Sequence, residues 1–358
     1  MVDLTEVQYG LEIVQGSGQV IAVPGVRSLT FQENTSELAM SVQVDADNQQ
    51  INGSWLHELA ALGSWVVVWA DWGAGKQEVF RGIVFVNDPI LDTNLHFQLT
   101  AYDPLIYLDK SKDDRYYPAG KTGAEILTDI FKSWNVPIGS INGPNKKLGI
   151  QVFHGQTVAD MVNSVLQQSV LAGDDIYLLQ FSNGKVNVIE AGKNTPVYKL
   201  TTNDAVMSVE DEWSIEDLVT RVKITGKTNP NGSVQTAATV DGLTQFGILQ
   251  EIISQQSYDG LAQAKQAAQM ILQQNGQPIP NRQVTAVDIP FLRRGDAVYM
   301  EAGTLNGQYI ISGIQHDAGS RTMTIQFNNI IGAAKYPRNK QSTNSSSKTG
   351  VGAIPIVW

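Results

Sequence analysis

Two stretches alternate polar and apolar residues, Ser28–Leu29–Thr30–Phe31–Gln32 and, after a short break, Met40–Ser41–Val42–Gln43–Val44. Successive side chains of a β-strand point to opposite faces, so this period of two predicts strands with one dry and one wet face. Similar short runs, rich in Val, Ile, Thr and aromatic residues, surround them and are separated by Gly, Pro, Asn and Asp. Many short strands with frequent turn signals predict a β-sandwich or small β-barrel for residues 1–103.

Residues 104–203 mix helical and strand signals. Thr122–Gly123–Ala124–Glu125 matches a capping box, and the apolar residues behind it recur on one helical face as far as Trp134. A second cap, Thr157 with Asp160, opens another amphipathic helix, and two strands follow, joined across Ser182–Asn183–Gly184. These patterns predict an inserted α+β domain.

Strand signals return over residues 204–335, where one helix is predicted at about Tyr258–Gln274 from a stripe of Leu, Ile and Ala. Residues 336–358 begin with a run rich in Ser, Thr, Asn and Lys, which predicts a flexible arm. The arm ends in an apolar tip, Ile354, Pro355, Ile356, Val357 and Trp358. A partner-docking tip and a tail folded onto its own chain both fit this pattern, and the polar leash favours docking.

Composition limits the function classes. The 358 residues include 25 Lys and Arg against 35 Asp and Glu, a formal net charge of −10, which argues against an ordinary nucleic-acid binder but not against a surface that repels DNA. The absence of Cys excludes disulfides, thiolate zinc sites and Cys nucleophiles. Because we find neither a secretory pattern nor an apolar run long enough to span a bilayer, we expect a soluble protein.

No motif predicts catalysis. The four His residues are scattered, and Gly73–Ala74–Gly75–Lys76 lacks the spacing of a phosphate loop, so we interpret it as a hairpin turn. The acids of Glu210–Asp211–Glu212 and Asp113–Asp114 have the residue types of a glycosidase pair, although adjacent acids are usually solvated. Arg293–Arg294 is interpreted as solvated charges at a turn before a strand. We therefore expect no enzyme, cofactor or metal site.

Several segments occur in a fixed order over about 330 residues: Phe80–Val84, Leu99–Leu108, Tyr116–Thr122, Phe246–Gly247, Leu292–Asp296, Gly307–Ile311 and Ile314–His316. Each segment alone is unspecific, but in this order they resemble the baseplate hub proteins of contractile phage tails. These hub proteins belong to the PBSX-type prophage tail protein and late control protein D group. The resemblance implies a β-rich α+β chain with two small antiparallel β-barrel-like hub domains, an inserted α+β domain and a flexible C-terminal arm.

The resemblance also implies a structural role. Such hubs are homotrimers in which two similar barrels per subunit form a ring that adapts a sixfold tail tube to a threefold spike. The implied partners are a tail tube or tube-initiator protein, a spike or tail lysin, and baseplate wedge proteins, with DNA passing through the lumen unbound. The implied location is the tail baseplate of a virion or particle assembled in the bacterial cytoplasm. The alternative is a cell-wall-directed module, a peptidoglycan hydrolase or glycan binder using scattered Trp and carboxylates.

Overall fold

The structure, a computed structural model, describes residues 7–34, 37–73, 75–90, 95–228, 231–255 and 260–327. Its strands are β1 (Gln8–Val14), β2 (Val20–Val23), β3 (Val26–Glu33), β4 (Ser41–Asp47), β5 (Gln50–Ile51), β6 (Ser54–Trp55), β7 (Trp65–Asp71), β8 (Gln77–Ile90), β9 (His96–Tyr102), β10 (Lys112–Tyr117), β11 (Ile138–Ile141), β12 (Gln151–Thr157), β13 (Tyr177–Ser182), β14 (Lys185–Glu190), β15 (Tyr198–Thr201), β16 (Val206–Ser214), β17 (Arg221–Thr228), β18 (Val234–Asp241), β19 (Gln250–Ser254), β20 (Ile279–Val287), β21 (Ala297–Ala302), β22 (Leu305–Ile310), β23 (Gly313–Asp317) and β24 (Thr322–Gln326). Its α-helices are α1 (Leu56–Leu59), α2 (Ile106–Lys110), α3 (Gly123–Ser133), α4 (Val158–Leu171) and α5 (Leu261–Asn275). The predicted β-rich class is confirmed.

Eleven strands form one sheet, in the order β16-β20-β24-β23-β3-β4-β9-β8-β7-β1-β2. The two alternating stretches become β3 and β4, which pair antiparallel with Phe31 opposite Val42. Strand β23, from near the other end of the described chain, pairs with the second half of β3 and places His316 opposite Phe31. The N-terminal and C-terminal strands therefore belong to one sheet.

This sheet corrects the prediction of two separate barrels. Among the described residues no sheet closes on itself, because the eleven strands run in an open order from β16 to β2. The N-terminal strands do curl around one core, since the ring of Tyr9 on β1 lies 5.8 Å from that of Phe31 on β3. They do not close, because the strand order ends at β2 and the second half of β3 pairs with β23. The boundaries 1–103, 104–203 and 204–335 stay predictions.

The predicted helix starts of the insert are confirmed. The Thr122 hydroxyl accepts the Glu125 N–H at 3.2 Å, and the Glu125 carboxylate accepts the Thr122 N–H at 2.7 Å. At α4 the Thr157 side chain accepts the Asp160 N–H at 3.0 Å. Helices α2, α3 and α4 share one buried core with β13 and β14, whose hairpin turns at Asn183 with a φ of 50°.

Within the predicted β-rich region 204–335, the apolar run at Gln308–Ile314 is divided between two strands. Strand β22 belongs to a separate sheet, β15-β21-β22, whereas β23 joins the eleven-stranded sheet. Between them the Ser312 hydroxyl donates to the Gln326 carbonyl at 2.8 Å and fixes this change of sheet. Helix α5 begins at Leu261 and packs on a third sheet, β18-β17-β19; the predicted start at Tyr258 lies outside the described residues. No helix in the described parts of the chain has the length and apolarity to cross a bilayer.

Candidate functional site

The eleven-stranded sheet has one apolar and one polar face. On the apolar face Met323, His316, Phe31 and Val42 lie directly opposite one another on successive strands, and all are fully buried. On seven strands the reverse side carries eighteen polar side chains that we call the polar face, and Asp47 and His96 lie beside them on the same side. The members of the polar face are Ser28, Thr30, Gln32, Gln43, Asp45, Gln98, Thr100, Ser208, Glu210, Glu212, Asn281, Gln283, Thr285, Gln315, Asp317, Thr322, Thr324 and Gln326.

Strand register makes the polar face continuous. One row runs through Ser208, Thr285, Thr324, Gln315 and Gln32, each directly opposite the next. The row crosses the β3–β23 pair, so the polar face passes from the C-terminal strands to the N-terminal strands without interruption. Side chains on the face are half-buried or exposed, so they are available to whatever lies in front of the sheet.

The eighteen residues of the polar face carry no fixed positive charge, although Arg81 of β8 lies on the same side of the sheet. Eleven of its eighteen residues are Gln or Thr, and none is Lys or Arg. Residues 1–103 hold 3 Lys and Arg against 13 Asp and Glu, whereas the rest of the chain holds 22 of each, so the whole excess of −10 lies in the N-terminal region. The three cations there, Arg27, Lys76 and Arg81, each lie within 3.6 Å of a carboxylate. Such a surface offers hydrogen bonds but no attraction to a polyanion.

Polar groups, most of them buried, hold the N-terminal and C-terminal strands of the sheet together where β3 meets β23. We call this strand pair with these groups the seam: Tyr9, Glu33, Asp103, Asp288, Arg293, Arg294 and His316. None of the seven was predicted to act here. Their partners lie up to 279 residues away in sequence, beyond the reach of any local spacing rule.

The first part of the seam is a Tyr–Asp–His chain. Asp288 Oδ1 lies 2.6 Å from His316 Nδ1, and the Tyr9 hydroxyl donates to Asp288 Oδ2. His316 Nε2 lies 3.1 Å from the Leu292 carbonyl oxygen, and its ring stacks on Phe31 with centroids 4.4 Å apart. Burial and the Asp288 carboxylate raise the pKa of Tyr9, which keeps its hydroxyl a donor. His316 is therefore a hydrogen-bonded packing residue.

The second part of the seam is a buried ion pair. The Glu33 carboxylate, 2 % exposed, accepts from Arg293 Nε at 2.7 Å and Nη2 at 2.8 Å, and from the Arg294 backbone N–H at 2.9 Å. Burial alone would raise the pKa of Glu33, but the charge and hydrogen bonds of Arg293 hold it below the usual value. Glu33 therefore stays ionised in the interior.

Arg294 corrects the interpretation of this Arg pair as solvated. Its guanidinium donates to the carbonyl oxygens of Glu37 at 2.6 Å and Leu38 at 3.1 Å, and to that of Asn34. The residue is only 6 % exposed. The sequence could not show this, because the carbonyls lie in the loop after β3, over 250 residues away.

Asp103 lies at the exit from the N-terminal strands into the insert. Its carboxylate accepts the backbone N–H groups of Met40 at 3.0 Å and Leu105 at 2.9 Å. Burial outweighs these bonds and raises the pKa of Asp103 to about 7. Burial likewise raises the pKa of Asp296, in the turn after Arg294, to about 6. Two carboxyl groups near the seam thus titrate close to neutral pH.

The candidate catalytic motifs assemble no site. Glu210 and Glu212 lie on the polar face, while Asp211 points to the opposite side and contacts Arg282 at 3.0 Å, so these acids do not face one another. Gly73 and Gly75 donate their N–H groups to Asp71 at 2.9 and 3.1 Å, as the predicted hairpin turn requires. In the described ranges no three His, Cys, Asp or Glu residues come together as metal ligands do.

The predicted docking residues Ile354, Pro355, Ile356, Val357 and Trp358 lie outside the described residues. The sequence also did not mark the polar face as one surface. Its Thr and Gln residues are spread over seven short strands, and only the register of those strands brings them together.

Known proteins share this fold. The YQBQ-like family matches residues 31–328, and the chain belongs to that family. It is 28 % identical to the uncharacterized protein YqbQ of Bacillus subtilis over 70 % of this chain and 77 % of that protein, and 26 % identical to the phage-like element PBSX protein XkdQ of the same organism over the same shares. The 43 kDa tail protein of prophage MuSo2 from Shewanella oneidensis superposes with a TM-score of 0.66 at 14 % identity, over 91 % of this chain and 99 % of that one.

These similarities confirm the predicted resemblance to PBSX-type prophage proteins at the level of family and fold. Membership of the late control protein D group stays a prediction.

Proposed function

We propose that this protein is a non-enzymatic structural component of a phage-like tail, the hub of its baseplate. The similarity to a PBSX protein and to the fold of a prophage tail protein supports a tail role. The observation that carries the hub role is the seam, which joins strands from the N-terminal and C-terminal halves into one sheet with a continuous polar face.

Each half of the chain contributes seven strands that could form part of a ring. Seven strands of the eleven-stranded sheet come from the N-terminal half, β1 to β4 and β7 to β9. The C-terminal half supplies four strands to that sheet and three to the β15-β21-β22 sheet. In a homotrimer, three copies of two halves would give six units, the number that adapts a sixfold tail tube to a threefold spike.

In this ring the polar face lines the central passage. A DNA duplex carries one negative charge per about 1.7 Å and binds wherever Lys or Arg neutralise its phosphates. A wall of Gln, Thr and carboxylates gives DNA no such counter-charge, so the duplex slides past without being held. The proposed role thus accounts for the absence of cations from the face.

The same role specifies partners and location. The hub docks a tail tube or tube-initiator protein above, a spike or tail lysin below, and wedge proteins outside. The tip Ile354–Trp358 docks on one of these neighbours and would contribute about 25 cal/mol per Å² of apolar area that it buries. The protein would reside in the tail baseplate of a particle assembled in the bacterial cytoplasm.

Sedimentation of the purified full chain tests the proposal. We expect a trimer at micromolar concentration; a stable monomer, both alone and when co-expressed with the neighbouring tail proteins, would contradict it. Incubation with purified cell walls separates the hub from the alternative of a cell-wall-directed module. The hub releases no soluble glycan and does not co-sediment with the walls, whereas a hydrolase or glycan binder does one or the other.

A further inference from the structure

Strand β16 ends the eleven-stranded sheet with a free edge. It pairs with β20 on one side, and no strand in the described part of the chain pairs with its other side. With nine residues it is longer than the other terminal strand, β2, which has four. An edge of this length is a template for another strand.

The ladder shows which backbone groups point outward. Pro280, which has no N–H to donate, lies opposite Trp213. Arg282 lies opposite Asp211. Its carbonyl oxygen points away from β16 and accepts the backbone N–H of Phe327, just after β24, at 2.9 Å. Bonded and non-bonded pairs alternate in antiparallel ladders. Val209, Asp211 and Trp213 therefore direct their N–H and C=O groups away from β20.

The side chains of β16 do not cover these outward N–H and C=O groups. The Asp211 carboxylate is held by Arg282 at 3.0 Å and by the Thr304 hydroxyl at 2.7 Å. The Arg282 guanidinium lies over the Trp213 ring, 5.6 Å from its centroid. Beside these groups Met207 and Trp213 are 60 % and 57 % exposed. The strand has no Lys or Pro, and its protection as an edge is limited to three acids and the register shift between Val206 and Ser208.

The opposite end of the sheet offers a complementary edge. Strand β2 reads Val20–Ile21–Ala22–Val23 and has no charged residue. Gln15 donates its N–H to the Gln19 carbonyl at 2.9 Å, so alternation along the β1–β2 ladder turns the N–H groups of Val20 and Ala22 outward. Val20 is 55 % exposed.

Charge argues against one register in which two copies of β16 could pair with each other. Two copies that paired through β16 about a twofold axis at Asp211 would place Glu210 opposite Glu212, and like charges directly opposite each other destabilise a sheet. Pairing β16 with the uncharged β2 avoids this repulsion. A contact between two different edges is heterologous and closes into a ring when the rotation permits.

We propose that β16 of one copy pairs with β2 of the next copy, so that the eleven-stranded sheets join edge to edge around the ring. The inference rests on the proposed function, because it assumes that copies assemble into a closed trimer. It specifies which strands form the subunit contact.

The first test compares Trp213→Pro with Trp213→Ala in the full chain. Both variants lose the indole ring, but only proline also removes the outward N–H. We expect Trp213→Pro to sediment as a monomer with an unchanged β-sheet circular dichroism spectrum, and Trp213→Ala to remain a trimer. A folded Trp213→Pro trimer would overturn the inference while leaving the ring intact.

Cysteine cross-linking decides the matter if Trp213→Pro fails to fold. The chain has no Cys, so a bis-maleimide reacts only at introduced positions. The variant carrying both Glu212→Cys and Ala22→Cys should give covalent trimers, and neither single variant should. Cross-linked dimers of Glu212→Cys alone, or no cross-link in a trimeric double variant, would overturn the pairing. A wild-type chain that stays monomeric with its tail neighbours would instead overturn the proposed function.

Discussion

The insert and the seam are both buried, but they are built in opposite ways. In the insert, α3 and α4 bury apolar side chains from consecutive turns, and each helix starts at a cap formed by residues three apart. At the seam, Tyr9 bonds to Asp288 across 279 residues and Glu33 to Arg293 across 260. The comparison teaches that neighbouring residues specify the elements, whereas a few distant polar groups determine how the two halves of the sheet meet.

The two regions should also fail differently. Apolar cores lose stability gradually as side chains are trimmed, whereas a buried ion pair that loses one partner leaves an uncompensated charge. Substitutions at the seam should therefore have larger effects and depend on pH, while those at the helix caps of the insert should be small and local.

The largest effect is expected for Arg293→Met. It leaves the Glu33 carboxylate buried without its ion-pair partner, and the loss of one partner from such a pair costs about 3–5 kcal/mol. Urea denaturation at pH 7 measures the loss in the free energy of unfolding. The double variant with Glu33→Gln should lose less, because it removes the stranded charge; a single variant within about 1 kcal/mol of wild type would show that the ion pair does not hold the halves together.

Asp103 should give the seam a pH dependence. Its pKa is raised to about 7 by burial, against about 3.9 in an unfolded chain, so the folded protein binds a proton that the unfolded chain releases in this window. The free energy of unfolding should fall as pH rises from about 4 to 7. Asp103→Asn cannot ionise, so relative to wild type it should gain on the order of 2 kcal/mol between pH 5 and 7.5. This expectation is wrong if the free energies of unfolding of the variant and the wild type change with pH in parallel.

Tyr9→Phe probes the Tyr–Asp–His chain of the seam. The variant keeps the ring against Phe31 but removes the donor to Asp288, and a hydrogen bond to a charged group is worth about 1.5–3 kcal/mol. We expect a loss at the lower end of that range, because Asp288 keeps its contact with His316. Thermal unfolding followed by circular dichroism measures it, and an unchanged midpoint would mean that the bond contributes nothing.

The smallest effect belongs to the insert. Thr122→Ala removes the N-cap of α3 and should cost about 1 kcal/mol. Thr122→Ser keeps the hydroxyl and serves as the control. Hydrogen exchange should speed up in the first turn of α3 and stay unchanged at β3 and β23; faster exchange at the seam as well would show that the two regions are not independent.

The sequence predicted the features that depend on near neighbours. The alternation in β3 and β4, the caps at Thr122 and Thr157 and the hairpin at Asn183–Gly184 all need residues within four positions. Strand β16 was missed because its run of acids places polar side chains on both faces and hides the period of two.

The arrangement of the halves could not be predicted in the same way. Whether β3 closes a barrel with β1 or pairs with β23 depends on residues near position 315, and the two alternatives give β3 the same alternating pattern. The polar face is a property of strand register alone, since its row from Ser208 to Gln32 is not contiguous anywhere in the chain.

A cryo-electron microscopy reconstruction of the purified 358-residue chain would show whether the polar face lines a ring. The account predicts a threefold ring in which the row of Thr324, Gln315 and Gln32 borders the central hole. A ring with these side chains on its outer surface, or density in which β3 and β23 do not pair, would contradict it.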